Sequence, residues 1–295
     1  MAVALAERIG GEVVGCDAVQ VYRGLDAATG KPTADERRRV RHWVIDIVDP
    51  ARDYSVADYV RDAGEAVASI VSRGRVPIVA GGTGMYLRGL LKGIVGAPAR
   101  DEALRRRLTA RLTRTGPRRL HAILARLDPA SAARVPPEDR QRMLRALELA
   151  VSGGPSWSER LEGGGTWARP GERYRAVKFA LDLPRPALAL GLAERVDAFF
   201  AAGLCEEVDR LLAAGVPPTA NALKAIGYRE VVRARLEGID PCATRDAIVA
   251  ATRRLAKRQR TWLRREPGLR WLDATEGDDA VVARIASAWR VLDSR

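Results

Sequence analysis

Residues 76–93 read VPIVAGGTGMYLRGLLKG. The apolar run VPIVAGG at 76–82 has the composition of a buried strand. A glycine-rich turn follows, and a helical pattern starts near Met85. Strand, turn and helix in that order predict a parallel sheet with helices on its faces. Earlier residues repeat the alternation. Residues 2–9 read as a helix stopped by Gly10-Gly11, and Val13-Val14 begins a strand that ends near Asp17. WVIDIVD at 43–49 reads as another strand. Ser55 and Asp58 form a capping box for a helix reaching about Arg73. Ligands of such sheets bind at the carboxyl ends of the strands, where Asp17 and Thr83 both fall.

Each candidate has two readings. Asp17 can orient a nucleophile or act as a general base, and it can equally cap a turn. Gly81-Gly82-Thr83-Gly84 lets backbone approach a ligand at a helix N-terminus, and it is also an ordinary strand–helix turn. The stretch ATGKPT at 28–33 imitates a phosphate-binding loop. However, Gly24 and Gly30 are separated by five residues instead of four, and Pro32 occupies the hydroxyl position. Proline has no amide to donate, so Lys31 is not expected to be a P-loop lysine.

The chain has 295 residues and a formal net charge of +13, with pI near 10.4. Such a field favours a polyanion, above all nucleic acid, although an Arg-rich composition alone gives the same sign. No apolar run approaches a membrane span, and MAVALAERIGG lacks the basic leader of a signal peptide. The three cysteines are scattered, which fits a reducing cytosol. With two histidines, no metal site is identifiable.

Residues 101–150 are rich in Arg, Leu and Ala at helical spacing, with Asp139 placed to cap a helix after Pro136-Pro137. Residues 152–172 are rich in Gly and Pro and read as a loop. RAVKFALDL at 175–183 reads as a returning strand, followed by helices over about 187–202, 204–214, 228–236 and 244–265. The expectation is an α/β core at 1–98 and 173–295 with a mostly helical insertion at 99–172. In TRRLAKRQRTWLRR, 252–265, seven of fourteen residues are Arg or Lys. Arg253, Lys257, Arg260 and Arg264 fall near one stripe, and Ile248, Leu255 and Trp262 near an apolar one. That pattern suits phosphates or a solvated face.

These segments together resemble the tRNA dimethylallyltransferases, also called tRNA isopentenyltransferases, over nearly the whole chain. The matching segments are DAVQVYRGLDAATGKP (17–32), VAGGTGMYLRGLLKG (79–93), DRQRMLRALE (139–148), LKAIGYRE (223–230) and TRRLAKRQRTWLR (252–264), in the family's order. The resemblance implies a P-loop NTPase-like parallel sheet flanked by helices. It implies transfer of a dimethylallyl group from dimethylallyl diphosphate to the exocyclic amine of the adenosine 3′ of the anticodon, with Mg²⁺, by a cytoplasmic monomer. Asp17 and Thr83 would be catalytic. Asp17, Ala18, Val19 and Gln20, Thr83, Arg105, Gln141, Arg142, Met143, Leu144 and Arg145, and Lys224, Ala225, Ile226, Gly227, Tyr228 and Arg229 would line the tRNA contact. Lys257, Arg258 and Arg264 join them by charge, and Arg195 is the remaining candidate for the diphosphate.

Three departures accompany the match. The family's G-P-T-[AG]-[SV]-G-K-[ST] loop would precede the helix at 2–9, inside which this sequence begins. The expectation is therefore a chain truncated before or at that loop, with negligible transfer of its own. Gly191 stands where the family usually has Arg, and Ala18 where Ser is common. The alternatives are an adenylate isopentenyltransferase acting on free nucleotides and a non-enzymatic RNA-binding remnant.

Overall fold

The computed structural model describes residues 1–94, 101–153, 156–161 and 171–293. The chain folds as two compact units, one of Met1–Leu90 with Tyr174–Arg295 and one of Leu91–Arg173. The first unit starts with α1 (Ala2–Ile9), closed by Gly10 in the left-handed conformation at φ 67°. Then come β1 (Gly11–Gly15), α2 (Ala34–Arg39), β2 (His42–Trp43), α3 (Val56–Ser72), β3 (Val76–Ala80) and α4 (Gly84–Lys92). Ser55 and Asp58 make the expected capping box on α3. The sheet runs β2-β1-β3 and is parallel throughout, with Val13 paired to Ile78 and Gly15 to Ala80. Every residue of β1 is buried, as expected for a central strand covered on both faces.

The expected strand at 43–49 is cut short. β2 ends at Trp43, and Val44 and Asp46 take left-handed φ values of 61° and 57°. A β-branched residue adopts that conformation only when its surroundings enforce it. Val44 is buried in the core, and the contacts around Asp46 are ionic. Lys31 bonds Asp46 and Asp26, and Arg37 Nη1 lies 2.7 Å from Asp46 Oδ2. Val48 returns to bridge Tyr22. Apolar alternation in the sequence could not reveal a kink held by charges fifteen residues away.

The second unit holds α5 (Glu102–Thr115), α6 (Pro117–Leu127), α7 (Pro129–Arg134), α8 (Arg140–Val151) and α9 (Trp157–Leu161). Asp139 caps α8 through the Arg142 amide, as expected. Leu112, Leu120, Leu124, Met143 and Leu147 form its core. Part of the expected loop at 152–172 lies outside the described residues. Within it, Trp157–Leu161 is helical.

The chain then returns to the first unit through β4 (Lys178–Asp182), α10 (Arg185–Ala201), α11 (Leu204–Ala213), α12 (Tyr228–Glu237), α13 (Arg245–Leu263), β5 (Leu269–Asp273) and α14 (Asp278–Asp293). β4 does not join the β1 sheet. It pairs in parallel with β5 in a separate two-stranded sheet. Neither β5 nor α14 was expected, since RWLD is too short to stand out from its charged surroundings. The main core gathers Val14, Leu25, Tyr59, Ile70, Leu90, Val196, Leu204, Tyr228 and Ile248. No described helix is long and apolar enough to cross a membrane.

Candidate active site

The chain leaves β1 at Gly15 and turns at once. Asp17 Oδ1 accepts from the Val19 amide at 2.8 Å and the Gln20 amide at 3.2 Å. The capping reading of Asp17 is therefore true of one oxygen. Oδ2 receives no hydrogen bond from any described residue. From the neighbouring parallel strand, the Thr83 amide donates to Cys16 O at 3.1 Å, and Thr83 Oγ1 accepts from the Ala18 amide at 3.0 Å. Thr83 thus uses a lone pair to fix the turn and keeps its hydroxyl hydrogen to donate elsewhere. Two side chains, one acidic and one hydroxylic, are locked together at adjacent strand ends, and both are half-buried.

The glycines between β3 and α4 have a steric cause. A Cβ on Gly81, whose φ is 155°, would sit 2.3 Å from the Cys16 carbonyl oxygen. One on Gly82 would sit 2.2 Å from Gln259 Nε2, and one on Gly84 2.6 Å from the Trp262 ring. Gln259 Nε2 also donates to Gly82 O at 3.2 Å. The turn is pressed against Cys16 and α13: a side chain at Gly81 would strike backbone, one at Gly84 an indole ring, and one at Gly82 would displace the Gln259 amide. Trp262 was expected on an apolar stripe. Its ring packs on this turn, whereas Leu255 is exposed. Beneath lies Cys16, whose thiol burial pushes to about pKa 12, and the stacked rings of Tyr59 and Tyr86 at 4.2 Å.

Lys31 is not a phosphate ligand. Its side chain is 4% exposed and donates to Tyr22 O at 2.7 Å besides its two carboxylates. The residues around it hold the turn. Gln20 Nε2 donates to Thr29 O at 3.1 Å and to Gly30 O at 3.0 Å. Gly30, at φ 62°, is approached by Arg195, whose Nη2 would lie 2.5 Å from a Cβ there. Arg195 is exposed, makes no ion pair with a described residue, and lies over the Phe199 ring.

The remaining expected contacts divide. Lys257, Arg258 and Arg264 are exposed and form no ion pair with described residues. With Arg88, Thr261, Trp262 and Arg265, Lys257 and Arg258 line a shallow cavity of about 290 Å³. Arg260, on the same expected stripe, is closed on Asp182 at 2.9 Å. Gln141 and Arg142 are exposed on α8, as are Lys224 and Arg229 in the other unit. Ala225 and Ile226 are half-buried. Met143, Leu144 and Tyr228 require correction. Their side chains are 0%, 6% and 0% exposed, so they are core and offer no surface to a partner. Arg105 and Arg145 are also engaged, at 2.7 and 3.1 Å from the buried carboxylate of Glu148. Nothing in the sequence pattern marks Gln259 or Glu148 as organising residues. The one usable signal for Glu207 was its place on the apolar face of a helix, beside an exposed Glu206.

A family model described as IPP transferase matches residues 20–266. The chain belongs to the IPP transferase family. It is 46% identical over 286 residues to a tRNA dimethylallyltransferase of Anaeromyxobacter dehalogenans, covering 97% of this chain and 94% of that one. It is similar to the crystal structure of the full-length tRNA isopentenylpyrophosphate transferase of Bacillus halodurans, with 34% identity, TM-score 0.71, and coverage of 99% of this chain and 91% of that one. It is also similar to a eukaryotic dimethylallyltransferase solved acting on tRNA, with 26% identity, TM-score 0.72, and coverage of 92% and 70%. In this member of the IPP transferase family the half-buried Thr83 lies within the matched span, and Asp17 lies three residues before it.

Proposed function

We propose that the chain is a tRNA dimethylallyltransferase that moves a dimethylallyl group from dimethylallyl diphosphate to the exocyclic amine of the adenosine 3′ of the anticodon. The observation that carries this reading is the Asp17–Thr83 pair, with an acceptor oxygen and a hydroxyl hydrogen left uncommitted at the carboxyl ends of β1 and β3. An exocyclic amine is a weak nucleophile because its lone pair is delocalised into the ring. As its nitrogen bonds the allylic carbon, the carbon–oxygen bond to the diphosphate breaks and the diphosphate leaves with the electron pair. The amine's surplus proton goes to Asp17 Oδ2, a role for which a positioned carboxylate is suited. Thr83 Oγ1 donates to the base or the reacting group and fixes its approach.

The target base leaves the anticodon stack to reach the strand ends, and the exposed cations Lys257, Arg258 and Arg264 hold the RNA backbone through phosphates. Arg195 is the candidate cation for the diphosphate. The described residues include no cluster of three or more acidic, His or Cys side chains able to cage an ion. This donor set fits Mg²⁺ only as an ion carried by the diphosphate, largely water-ligated, with at most one or two protein carboxylates. When bound, it neutralises charge on the leaving group.

The test is radiolabelled prenyl transfer to an anticodon stem-loop and, in parallel, to AMP, with the protein as its gene encodes it. Transfer to the stem-loop well above that to AMP supports the reading, and the reverse ranking supports a free-nucleotide enzyme. Asp17→Asn should lower turnover by about 10²–10⁴-fold with tRNA affinity little changed. Turnover within a few-fold of the parent removes Asp17 as the base.

A further inference from the structure

The LKAIGYRE stretch resembles a substrate-contact motif, yet its tyrosine faces inward. Tyr228 is fully buried, and its hydroxyl donates to Glu207 Oε1 at 2.5 Å and accepts from the Ala28 amide at 3.3 Å. Glu207, 5% exposed on the first turn of α11, also accepts from the amides of Asp26 at 2.9 Å and Ala27 at 3.2 Å. Three consecutive amides, 26 to 28, are therefore held by one carboxylate and one phenol. Gly227 completes the clamp. At φ 93° it lets α12 approach so closely that a Cβ would meet Ala28 Cβ at 3.2 Å.

The clamped segment leads to Asp17. Its next two residues supply the carbonyls of Thr29 and Gly30 that receive Gln20 Nε2, and the Gln20 amide bonds Asp17 Oδ1. Gly30 also abuts Arg195. A buried carboxylate with several N–H and O–H donors is rigid, because losing any one leaves a desolvated group unpaired.

We propose that Glu207 and Tyr228 are positioning residues for Asp17. They fix the 26–30 loop, which fixes Gln20, which fixes the turn carrying the carboxylate. This rests on the reading of Asp17 as the base only for its effect on rate. The mechanical link stands apart from it.

The experiment compares Tyr228→Phe, Glu207→Gln, Gln20→Ala and the Tyr228→Phe/Gln20→Ala double variant by amide hydrogen exchange and by prenyl transfer. Tyr228→Phe keeps the ring in the core and removes only the hydroxyl, so it serves if Glu207→Gln does not fold. The expected result is exchange about tenfold faster at Asp26, Ala27 and Ala28 in Tyr228→Phe, and also at Val19 and Gln20, which the phenol does not touch. Transfer should fall by about 10–10²-fold with tRNA affinity held, since small misplacements of a reacting group cost that much. The double variant should lose no more than Gln20→Ala alone, because both act through one link. Faster exchange confined to residues 26–28, or additive losses, overturns the proposal. If the parent transfers no prenyl group, the exchange at Val19 and Gln20 alone decides whether the clamp reaches the turn, and no faster exchange there overturns the proposal.

Discussion

Helices α8 and α13 look alike in sequence, each studded with arginine, and they use those cations in opposite ways. On α8, Arg145 joins Arg105 of α5 in closing on Glu148, whose side chain is 2% exposed, and Arg142 pairs with Asp139 at 3.4 Å. On α13 and just beyond it, Arg253, Arg254, Lys257, Arg258, Arg264 and Arg265 stand exposed without an ion pair among the described residues. The nearest acid in sequence, Glu266, is buried and taken by Arg88 at 2.8 Å and Lys178 at 3.2 Å. What separates the helices is the position of a buried carboxylate. Charge count describes the field around a protein, and the counter-ions decide which cations can leave for a phosphate.

The comparison breaks most visibly at Glu148. Glu148→Ala removes the buried carboxylate shared by Arg105 and Arg145 and should destabilise the helical unit by about 3–5 kcal/mol. A denaturation midpoint within error of the parent would return Arg105 and Arg145 to the pool of available cations. Glu12 extends the same rule to the sheet. It is buried on β1, and hydrogen bonding from Arg73, helped by Trp43, lowers its pKa from 4.5 to about 2. A carboxylate with a lowered folded pKa contributes stability that is present above its unfolded value and lost as pH falls. The protein should therefore lose stability between about pH 4.5 and 2. In Glu12→Gln that limb should flatten, with a neutral-pH loss of about 1–3 kcal/mol, read from urea midpoints across the range. An acid limb as steep as the parent's would show that other groups carry it.

Removing the α13 cations should do the reverse. Lys257→Gln, Arg258→Gln and Arg264→Gln together should change stability by less than about 0.5 kcal/mol per site. The slope of log tRNA affinity against log salt should become shallower by about 2–3. An unchanged slope would make this a solvated face. The smallest effect is chemical. The Cys16 thiol, raised to about pKa 12 by burial, should resist alkylation at pH 8 in the folded state, while the exposed Cys242 reacts. Modification of Cys16 at the rate of Cys242 would mean that the turn after β1 opens readily.

Much of the frame was legible because it rests on local rules. The Ser55 capping box, the left-handed Gly10 and the apolar run before Gly81 each act over a few residues, and each produced the expected element. The failures were long-range. The 43–49 strand is bent by Lys31 and Arg37, and β4 pairs with a partner about ninety residues away that periodicity did not flag. In the candidate site, Asp17 and Thr83 could be placed because strand ends converge in any parallel sheet. Which motif residues face outward could not. Met143, Leu144 and Tyr228 sit in motifs beside exposed Arg142 and Arg229, and only the burial of each helix face separates them.

The contacts of Gln259 and Trp262 with Gly82 and Gly84 also bear on the order of assembly. The turn carrying Thr83 is gripped by residues 177 and 178 positions further along the chain. A chain emerging during synthesis can pair β1 with β3 long before α13 exists, but the turn has no outer wall until α13 docks. Contacts of such sequence separation form late, since closing the intervening loop costs entropy that local contacts do not. The half-made protein thus holds its acid and hydroxyl on an unfinished floor until α13 docks against the turn.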